Sequence, residues 1–224
     1  MKPQVPILII EPAEIIRKGI ISCLNDFLKH PNWYEATSYS SAQKILEQNS
    51  IEVIISEIKL ENSNGFQLLR YIQTHHSEIK VLILSSITKR EYILTARHFG
   101  ARGYFSKNIS PEILSENIRR AQNSNLFTSN EWFASQYEEN SAFILKTIDL
   151  LKTLSKQEKK ALSLFCNNYN TKEVSALMHV QRKSIDNYKN RIAKKMELPP
   201  SLYFREWIRN QGTFLNYLLN ALDH

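Results

Sequence analysis

Four polar side chains in the first half of the chain each stand at or just after the end of a short apolar run. They are Glu11, Glu57, Ser85 and Lys107. If these runs are parallel strands of one sheet, their carboxyl ends meet at one edge, where ligand or reaction chemistry takes place in such folds. We therefore predict that the two carboxylates, the hydroxyl and the ammonium group share one shallow cleft.

The elements that would position these groups alternate in type between residues 7 and 123. Short apolar runs predict buried strands at Ile7–Ile10, Val53–Ile55, Val81–Leu84 and Tyr104–Phe105, with a weaker one at Tyr34–Thr37. Amphipathic stretches predict helices at Ala13–Leu24, Ser41–Glu47, Phe66–His75, Arg90–Gly100 and Pro111–Ala121, with Ser40 or Ser41 as the cap of the second. Five such alternations predict an α/β fold with a doubly wound, five-stranded parallel sheet.

The second half predicts a small all-α domain. We expect an α/β domain at 1–123, a linker with a helix around Ala142–Thr153 at 124–153, a small helical domain at 154–212, and a helical extension at 213–224. Residues 154–198 hold ten basic and four acidic side chains, and so carry +6 of the formal net charge of +7. Concentrated positive charge in a compact helical segment is typical of nucleic-acid binders.

A scaffold helix, a turn and a basic helix follow Leu154, a layout that seats a recognition helix in the major groove. This run resembles the LuxR-type helix-turn-helix of NarL/FixJ response regulators. The motifs are Leu154-Ser155-x-x-Glu158, Lys172-Glu173-Val174, Ser184-Ile185-x-x-Tyr188 and Ile192-x-x-Lys195-Met196-x-Leu198. The resemblance implies double-stranded promoter DNA as partner, and the alternative is a helical domain that binds protein.

The side chains expected at the DNA divide by chemistry. Most of the cations would neutralise phosphates, while the polar residues near the front of the recognition helix would contact base edges or backbone. The candidates are Lys172, Arg182, Lys183, Ser184, Asn187, Tyr188, Lys189, Arg191 and Lys194. Two positions depart from the family pattern: Tyr188 replaces a common His, and Asp186 places a carboxylate near phosphates, where it would be repelled or would accept a bond from a cytosine amino group.

Residues 7–123 resemble the receiver domain of the same family. The motifs are Glu57-Ile58-x-Leu60, Asn64-Gly65, Ser85-Ser86, Gly100-Ala101-x-Gly103-Tyr104 and Lys107. The resemblance implies phosphoryl transfer to an aspartate after the third strand, with a divalent metal held by acids after the first. It also implies that Ser85 and Lys107 grip phosphoryl oxygens and that Tyr104 is the aromatic switch.

This chain departs from that chemistry at the reacting positions. Glu57 replaces the acceptor aspartate, the acidic pair has become Glu11-Pro12, and Glu61 replaces the usual Pro. The extra methylene moves the Glu57 carboxylate by roughly 1.5 Å, enough to cost about a hundredfold in rate, and one metal ligand is lost. We expect a degenerate acceptor pocket without a metal, in which Glu57 either pairs with Lys107 and mimics phosphorylation or is a relic.

The chain end supplies a candidate dimer contact. The helix Ser201–Asn210 matches the last helix of the family, and Gly212 is predicted to stop it. Beyond it, Leu215, Leu218, Leu219 and Leu222 recur on one helical face. This stripe either packs on its own domain or joins two copies.

Together these patterns predict a cytoplasmic transcription regulator that acts without conventional aspartyl phosphorylation, as a homodimer or as a heterodimer with another regulator. The alternative is an interaction adaptor that heterodimerises and contributes little DNA contact. No motif indicates an enzyme, a cofactor, a small-molecule substrate or a membrane span. Cys23 and Cys166 lie in apolar helical patterns and are expected to be buried, unpaired thiols.

Overall fold

The computed structural model of the chain describes residues 5–124, 127–129, 141–199 and 202–222. The chain divides into two compact units between Glu139 and Asn140. None of the helices in these described ranges is long and apolar enough to cross a membrane.

The first unit is built on a parallel sheet. Its strands are β1 (Val5–Ile10), β2 (Pro31–Ala36), β3 (Val53–Ser56), β6 (Lys80–Ser85), β7 (Gly103–Ser106) and the two-residue β8 (Thr128–Ser129), in the order β2-β1-β3-β6-β7-β8. A small antiparallel hairpin, β4 (Lys59–Leu60) and β5 (Ser63–Asn64), follows β3. The predicted five-stranded parallel fold is confirmed, with β8 as an additional edge strand. The weak second strand begins at Pro31, earlier than its pattern predicted.

Five helices accompany the sheet: α1 (Glu14–Asn25), α2 (Tyr39–Gln48), α3 (Gly65–His75), α4 (Arg90–His98) and α5 (Pro111–Asn123). Ser38, rather than Ser40 or Ser41, caps α2, because its side chain accepts a bond from the Ser41 amide while Ser41 bonds back. The central strands are apolar throughout because both faces are buried: β3 has no exposed residue. Leu24 of α1 and Ile118 of α5 belong to the same buried cluster as Val53 and Ile55.

Within the described residues of the second unit, the regular elements are all helices: α6 (Ser141–Lys152), α7 (Lys156–Cys166), α8 (Thr171–Met178), α9 (Arg182–Lys195) and α10 (Phe204–Leu222). Capping boxes begin α7 at Ser155 and α8 at Asn170. Val174 of α8 and Ile185 of α9 are fully buried in its core. The helix-turn-helix order of α8 and α9 agrees with the prediction.

The C-terminal helix differs from its prediction. Gly212 does not stop the helix, and α10 runs without a break from Phe204 to Leu222. A Cβ added at Gly212 would lie 3.4 Å from the Cα of Cys166, so the missing side chain lets α10 approach α7 closely. Beyond Gly212 the helix buries Phe214, Leu215 and Leu218 in its own unit, so it continues, and there is no separate extension within the described residues.

The leucine stripe on α10 packs within its own unit. Leu215, Leu218 and Leu219 are 2%, 0% and 1% exposed, and Leu222 is half-buried. The first three are therefore not available as a dimer contact, so the alternative of packing on the same domain is the one observed. The expectation for the thiols was wrong for Cys23, which is exposed on α1, whereas Cys166 is buried.

Candidate charged cleft and nucleic-acid interface

The four predicted cleft residues meet at the carboxyl edge of the sheet. Glu11 directly follows β1, Glu57 follows β3, Ser85 ends β6 and Lys107 follows β7. The Lys107 ammonium lies 2.6 Å from Glu11 Oε2 and 2.7 Å from Glu57 Oε2, so one cation bridges both carboxylates. Glu11 and Glu57 are only 4% and 7% exposed. The pair that was hypothesised between Glu57 and Lys107 is present, and Glu11 shares it.

The remaining carboxylate oxygens have protein donors as well. Glu57 Oε1 accepts bonds from the backbone N–H groups of Ile58 (2.6 Å) and Lys59 (3.2 Å), and from the Ser85 hydroxyl. Glu11 Oε1 accepts a bond from the Ala13 amide at 3.0 Å. All four carboxylate oxygens of the pair are therefore engaged, which fixes both side chains in place.

The cleft keeps Lys107 charged. Burial by itself would lower the pKa of Lys107, but its bonds to Glu11 and Glu57 outweigh burial and raise the pKa above its ordinary value. At neutral pH Lys107 is thus a charged ammonium that bridges the two acid side chains.

Tyr104 lies beside the cleft and is fully buried. Its hydroxyl donates to the Ile87 carbonyl, and the Ile87 amide in turn donates to Ser85 Oγ at 3.1 Å. Burial raises the pKa of Tyr104, so the ring keeps its proton and remains a donor. The segment after β6 is therefore fixed at two points. Ser85 is bonded to Glu57, and the Ile87 carbonyl accepts a bond from the buried Tyr104 hydroxyl.

These residues do not fit the divalent metal site that the receiver resemblance implies. Pro12 offers no side-chain oxygen, and the oxygens of Glu11 and Glu57 already accept bonds from Lys107 and backbone amides. Mg²⁺ demands oxygen ligands in near-octahedral arrangement. The described residues contain no group of three or more His, Cys, Asp or Glu side chains that could hold a metal ion. The ammonium occupies the space between the two acids.

The predicted DNA-binding residues mostly lie on the exposed side of α8 and α9. Exposed are Lys172, Arg182, Lys183, Asn187, Arg191 and Lys194, and half-buried are Ser184, Tyr188 and Lys189. The guanidinium of Arg191 stacks over the Tyr188 ring at 5.1 Å. Ile185 and Ile192 are fully buried and dock α9 on the core, which leaves Lys183, Arg191 and Lys194 on the exposed side of the helix.

Lys189 is turned inward, unlike the other cations predicted to contact phosphate. Its ammonium donates to Thr171 Oγ1 at 2.5 Å and to Asp186 at 3.1 Å, and it lies 5.3 Å from the centre of the Phe165 ring. Asp186 is the acidic residue that departs from the family pattern, and the ammonium of Lys189 partly neutralises its charge. Asp186 is therefore part of an ion pair at the surface of α9.

Glu158 ties α9 to the start of α7. It is 2% exposed, accepts a bond from the Ser155 amide at 2.8 Å and pairs with Lys195 at 2.7 Å. Burial raises the pKa of Glu158, but the bonds from Lys195 and Ser155 outweigh it, and the net direction is a lowered pKa. The sequence predicted the capping box but not the Lys195 contact, because 37 residues separate the partners.

Comparisons with known proteins agree with this geometry. Residues 7–119 match the family profile of the response regulator receiver domain, and residues 152–200 match that of bacterial regulatory proteins of the luxR family. Response regulator UvrY of Escherichia coli is 21% identical over 199 residues, which cover 87% of this chain and 89% of that protein. The DNA-binding transcriptional activator DevR/DosR of Mycobacterium tuberculosis is 24% identical over 193 residues, covering 86% and 88%.

A solved structure with the same fold is that of RcsB from Salmonella enterica serovar Typhimurium bound to a promoter in the presence of phosphomimetic BeF₃⁻. It is 18% identical, covers 98% of this chain and 100% of that chain, and has a TM-score of 0.56.

Proposed function

This chain belongs to the response regulators that join a receiver domain to a LuxR-type DNA-binding domain, and from that premise we propose that its receiver works without aspartyl phosphorylation. It is a DNA-binding transcription regulator of the response-regulator type. The proposal concerns how the regulator is activated. Bonds among Lys107, Glu57 and Ser85 hold the receiver in one state without the action of a kinase.

The observation that carries the proposal is the set of donors around Glu57. The Ser85 hydroxyl and the Lys107 ammonium are the two groups that the family resemblance assigns to phosphoryl oxygens. Here both bind the Glu57 carboxylate instead, with Lys107 at 2.7 Å. The longer Glu side chain thus brings its acidic group to the two donors that a phosphoryl group would engage. Phosphoryl transfer to Glu57 would have to break its bonds to Lys107, Ser85 and two backbone amides.

The proposed partner is double-stranded promoter DNA, contacted by the exposed residues of α8 and α9, and the proposed assembly is a homodimer. A solved structure described as two RcsB dimers bound to two parallel DNAs supports a dimer by analogy alone. A heterodimer with another regulator is the second form of assembly. The alternative function, an adaptor with little DNA contact, was favoured by Asp186, whose charge would repel phosphates. The ion pair between Asp186 and Lys189 reduces that repulsion and so weakens the case for the adaptor.

Intact mass and sizing of the purified protein test the switching proposal. After incubation with Mg²⁺ and a small-molecule phosphodonor, we expect no mass increase and an unchanged dimer. A phosphoryl-sized gain on Glu57 with a change in oligomer would overturn the proposal.

Two variants test whether Glu57 mimics a phosphorylated aspartate or is a relic without a role in switching. We expect Glu57→Gln to weaken dimerisation and DNA binding, because the charge that Lys107 and Ser85 bind is removed. The matched control is Glu61→Gln, which changes an exposed acid in the β4–β5 turn and should alter neither property. Unchanged DNA binding and dimerisation in Glu57→Gln would refute mimicry and leave Glu57 a relic.

A further inference from the structure

One ammonium group, that of Lys189, contacts all three helices from α7 to α9. Lys189 lies four residues after the buried Ile185, on the same side of α9, and its side chain is only 24% exposed. The ammonium donates to Thr171 Oγ1 at the beginning of α8 at 2.5 Å and to Asp186 Oδ1 of α9 at 3.1 Å. It also lies 5.3 Å from the centre of the Phe165 ring of α7. The inner side of α9 is therefore bound to its neighbours at this point by directed polar contacts.

A second polar anchor on the inner side of α9 lies further from the residues expected at base edges. It is the bond of Lys195 to the buried Glu158 at 2.7 Å. Lys183 and Asn187, the exposed candidates for base-edge or backbone contacts, lie in the first turns of α9. Along the helix axis Asn187 is about 3 Å from Lys189 and about 12 Å from Lys195. Lys189 is thus the polar anchor next to the reading end of the helix.

Reading base edges requires a more exact placement of the recognition helix than binding phosphates does. A side-chain tip about 6 Å from the helix axis moves by roughly 1 Å when the helix rotates by about 10°. Functional contacts must be held within about 0.5 Å, so such a rotation breaks hydrogen bonds to base edges. Contacts with phosphates carry no sequence information, and the charge attraction behind them survives a small shift. A group that fixes the rotation of α9 therefore affects sequence discrimination more than total affinity.

We propose that Lys189 is a positioning residue for sequence reading: it holds α9 at one rotation against α7 and α8, so that Lys183 and Asn187 reach base edges, and it binds no phosphate itself. Apolar burial of Ile185 selects the side of α9 that faces the core, but the hydrophobic effect has no direction. The hydrogen bonds of the ammonium depend on distance and angle and so define the rotation. The proposal rests on the DNA-binding function above and gives Lys189 a role other than the phosphate contact predicted from the sequence.

Two measurements on the full-length protein separate positioning from phosphate binding. The first is the slope of log K against log salt, to which each phosphate contact contributes about 0.9. The second is the ratio of the affinities for two duplexes, both measured by fluorescence anisotropy. One duplex carries the sequence that the wild type enriches from a pool of randomised duplexes, and the other carries the same base pairs in shuffled order. The slope counts phosphate contacts, whereas the ratio reports base reading.

We expect Lys189→Met, which keeps an apolar stem and removes the ammonium, to lower the affinity ratio by roughly tenfold, the value of one good base contact, and to leave the slope unchanged. Repulsion from the unpaired Asp186 would weaken both duplexes alike. Thr171→Val removes the acceptor hydroxyl and should lower the ratio less, and combining it with Lys189→Met should lower the ratio no further. Lys189→Arg keeps a cationic donor and should retain most of the ratio. The matched control is Lys194→Met, at an exposed lysine of α9, which should lower the slope by about 0.9 and leave the ratio unchanged.

Each outcome decides between distinct claims. A slope that falls by about 0.9 in Lys189→Met, with an unchanged ratio, would make Lys189 a phosphate contact and overturn the proposal. Equal weakening of both duplexes, with a lowered thermal unfolding temperature, is the result of a purely structural role and would overturn it as well. If the wild type binds DNA but enriches no sequence, the proposal is wrong while DNA binding stands. If the wild type shows no salt-dependent binding at all, the DNA-binding function fails too.

Discussion

Replacing Lys107 by Met removes the cation that bridges the two buried carboxylates of the cleft. Glu11 and Glu57 are 4% and 7% exposed in the native structure, and each loses a charged partner within 2.7 Å. Removing one partner from a buried ion pair costs about 3 to 5 kcal/mol, since the remaining charge is left uncompensated. Glu57 keeps its bonds from Ser85 and two amides, so we expect a loss near the lower end, about 3 kcal/mol.

The pH dependence of this loss follows from the direction of the Lys107 pKa. Its folded-state pKa is raised above its ordinary value of about 10.4, so its stabilising contribution is fully present at neutral pH and is lost as pH rises through the folded pKa. In the variant the two acids are no longer neutralised.

The assay must report the first unit alone, since two-unit unfolding is not two-state. Hydrogen exchange of peptides from β1 and β3, followed by mass spectrometry in increasing urea, gives the free energy of opening of that unit. Lys59→Met, at an exposed lysine next to the cleft, is the matched control. We expect the second change Glu57→Gln to restore part of the stability lost in Lys107→Met. A Lys107→Met variant no less stable than Lys59→Met would refute the reasoning.

Three further predictions concern the helical unit and the thiols. Glu158→Gln should lower stability by about 1 to 2 kcal/mol at pH 7, because the charged bond to Lys195 is weakened. Since the pKa of Glu158 is lowered, its contribution is present above the ordinary pKa of a glutamic acid and is lost as pH falls through the lowered folded-state pKa. Urea unfolding at several pH values should show the difference shrink as the solution becomes acidic. Gly212→Ala should stay within about 1 kcal/mol of the wild type in thermal unfolding. Gly212→Val should be about 1 to 3 kcal/mol less stable, because the larger side chain would press on the backbone of Cys166. If the valine variant were as stable as the wild type, the close approach of α10 to α7 would be contradicted. Burial raises the pKa of Cys166 to about 12, so a thiol reagent at pH 8 should modify one site, Cys23, in the native protein and two in denaturant; two native sites would contradict its burial.

The sequence by itself determined the order of the elements and the members of the cleft. Strand and helix periods are local properties, and a parallel sheet brings the carboxyl ends of its strands to one edge whatever the loops do. For that reason Glu11, Glu57, Ser85 and Lys107 could be placed together from their positions after apolar runs. The family motifs, which are also local in sequence, predicted the helix-turn-helix and the cations of its exposed side.

Only the tertiary structure decided how individual charges are partnered and where α10 ends. Lys107 bridges Glu11 from 96 residues away, Lys189 turns inward to Thr171, and Glu158 meets Lys195 on another helix. Gly212 is a helix stop in local terms, yet the packing of α10 on α7 outweighs that local preference. The local sequence pattern sets the conformation of a segment. Ion pairs and close helix contacts depend instead on side chains that meet only when the chain is folded. The energies of these contacts come from burial and proximity rather than from residues adjacent in the sequence.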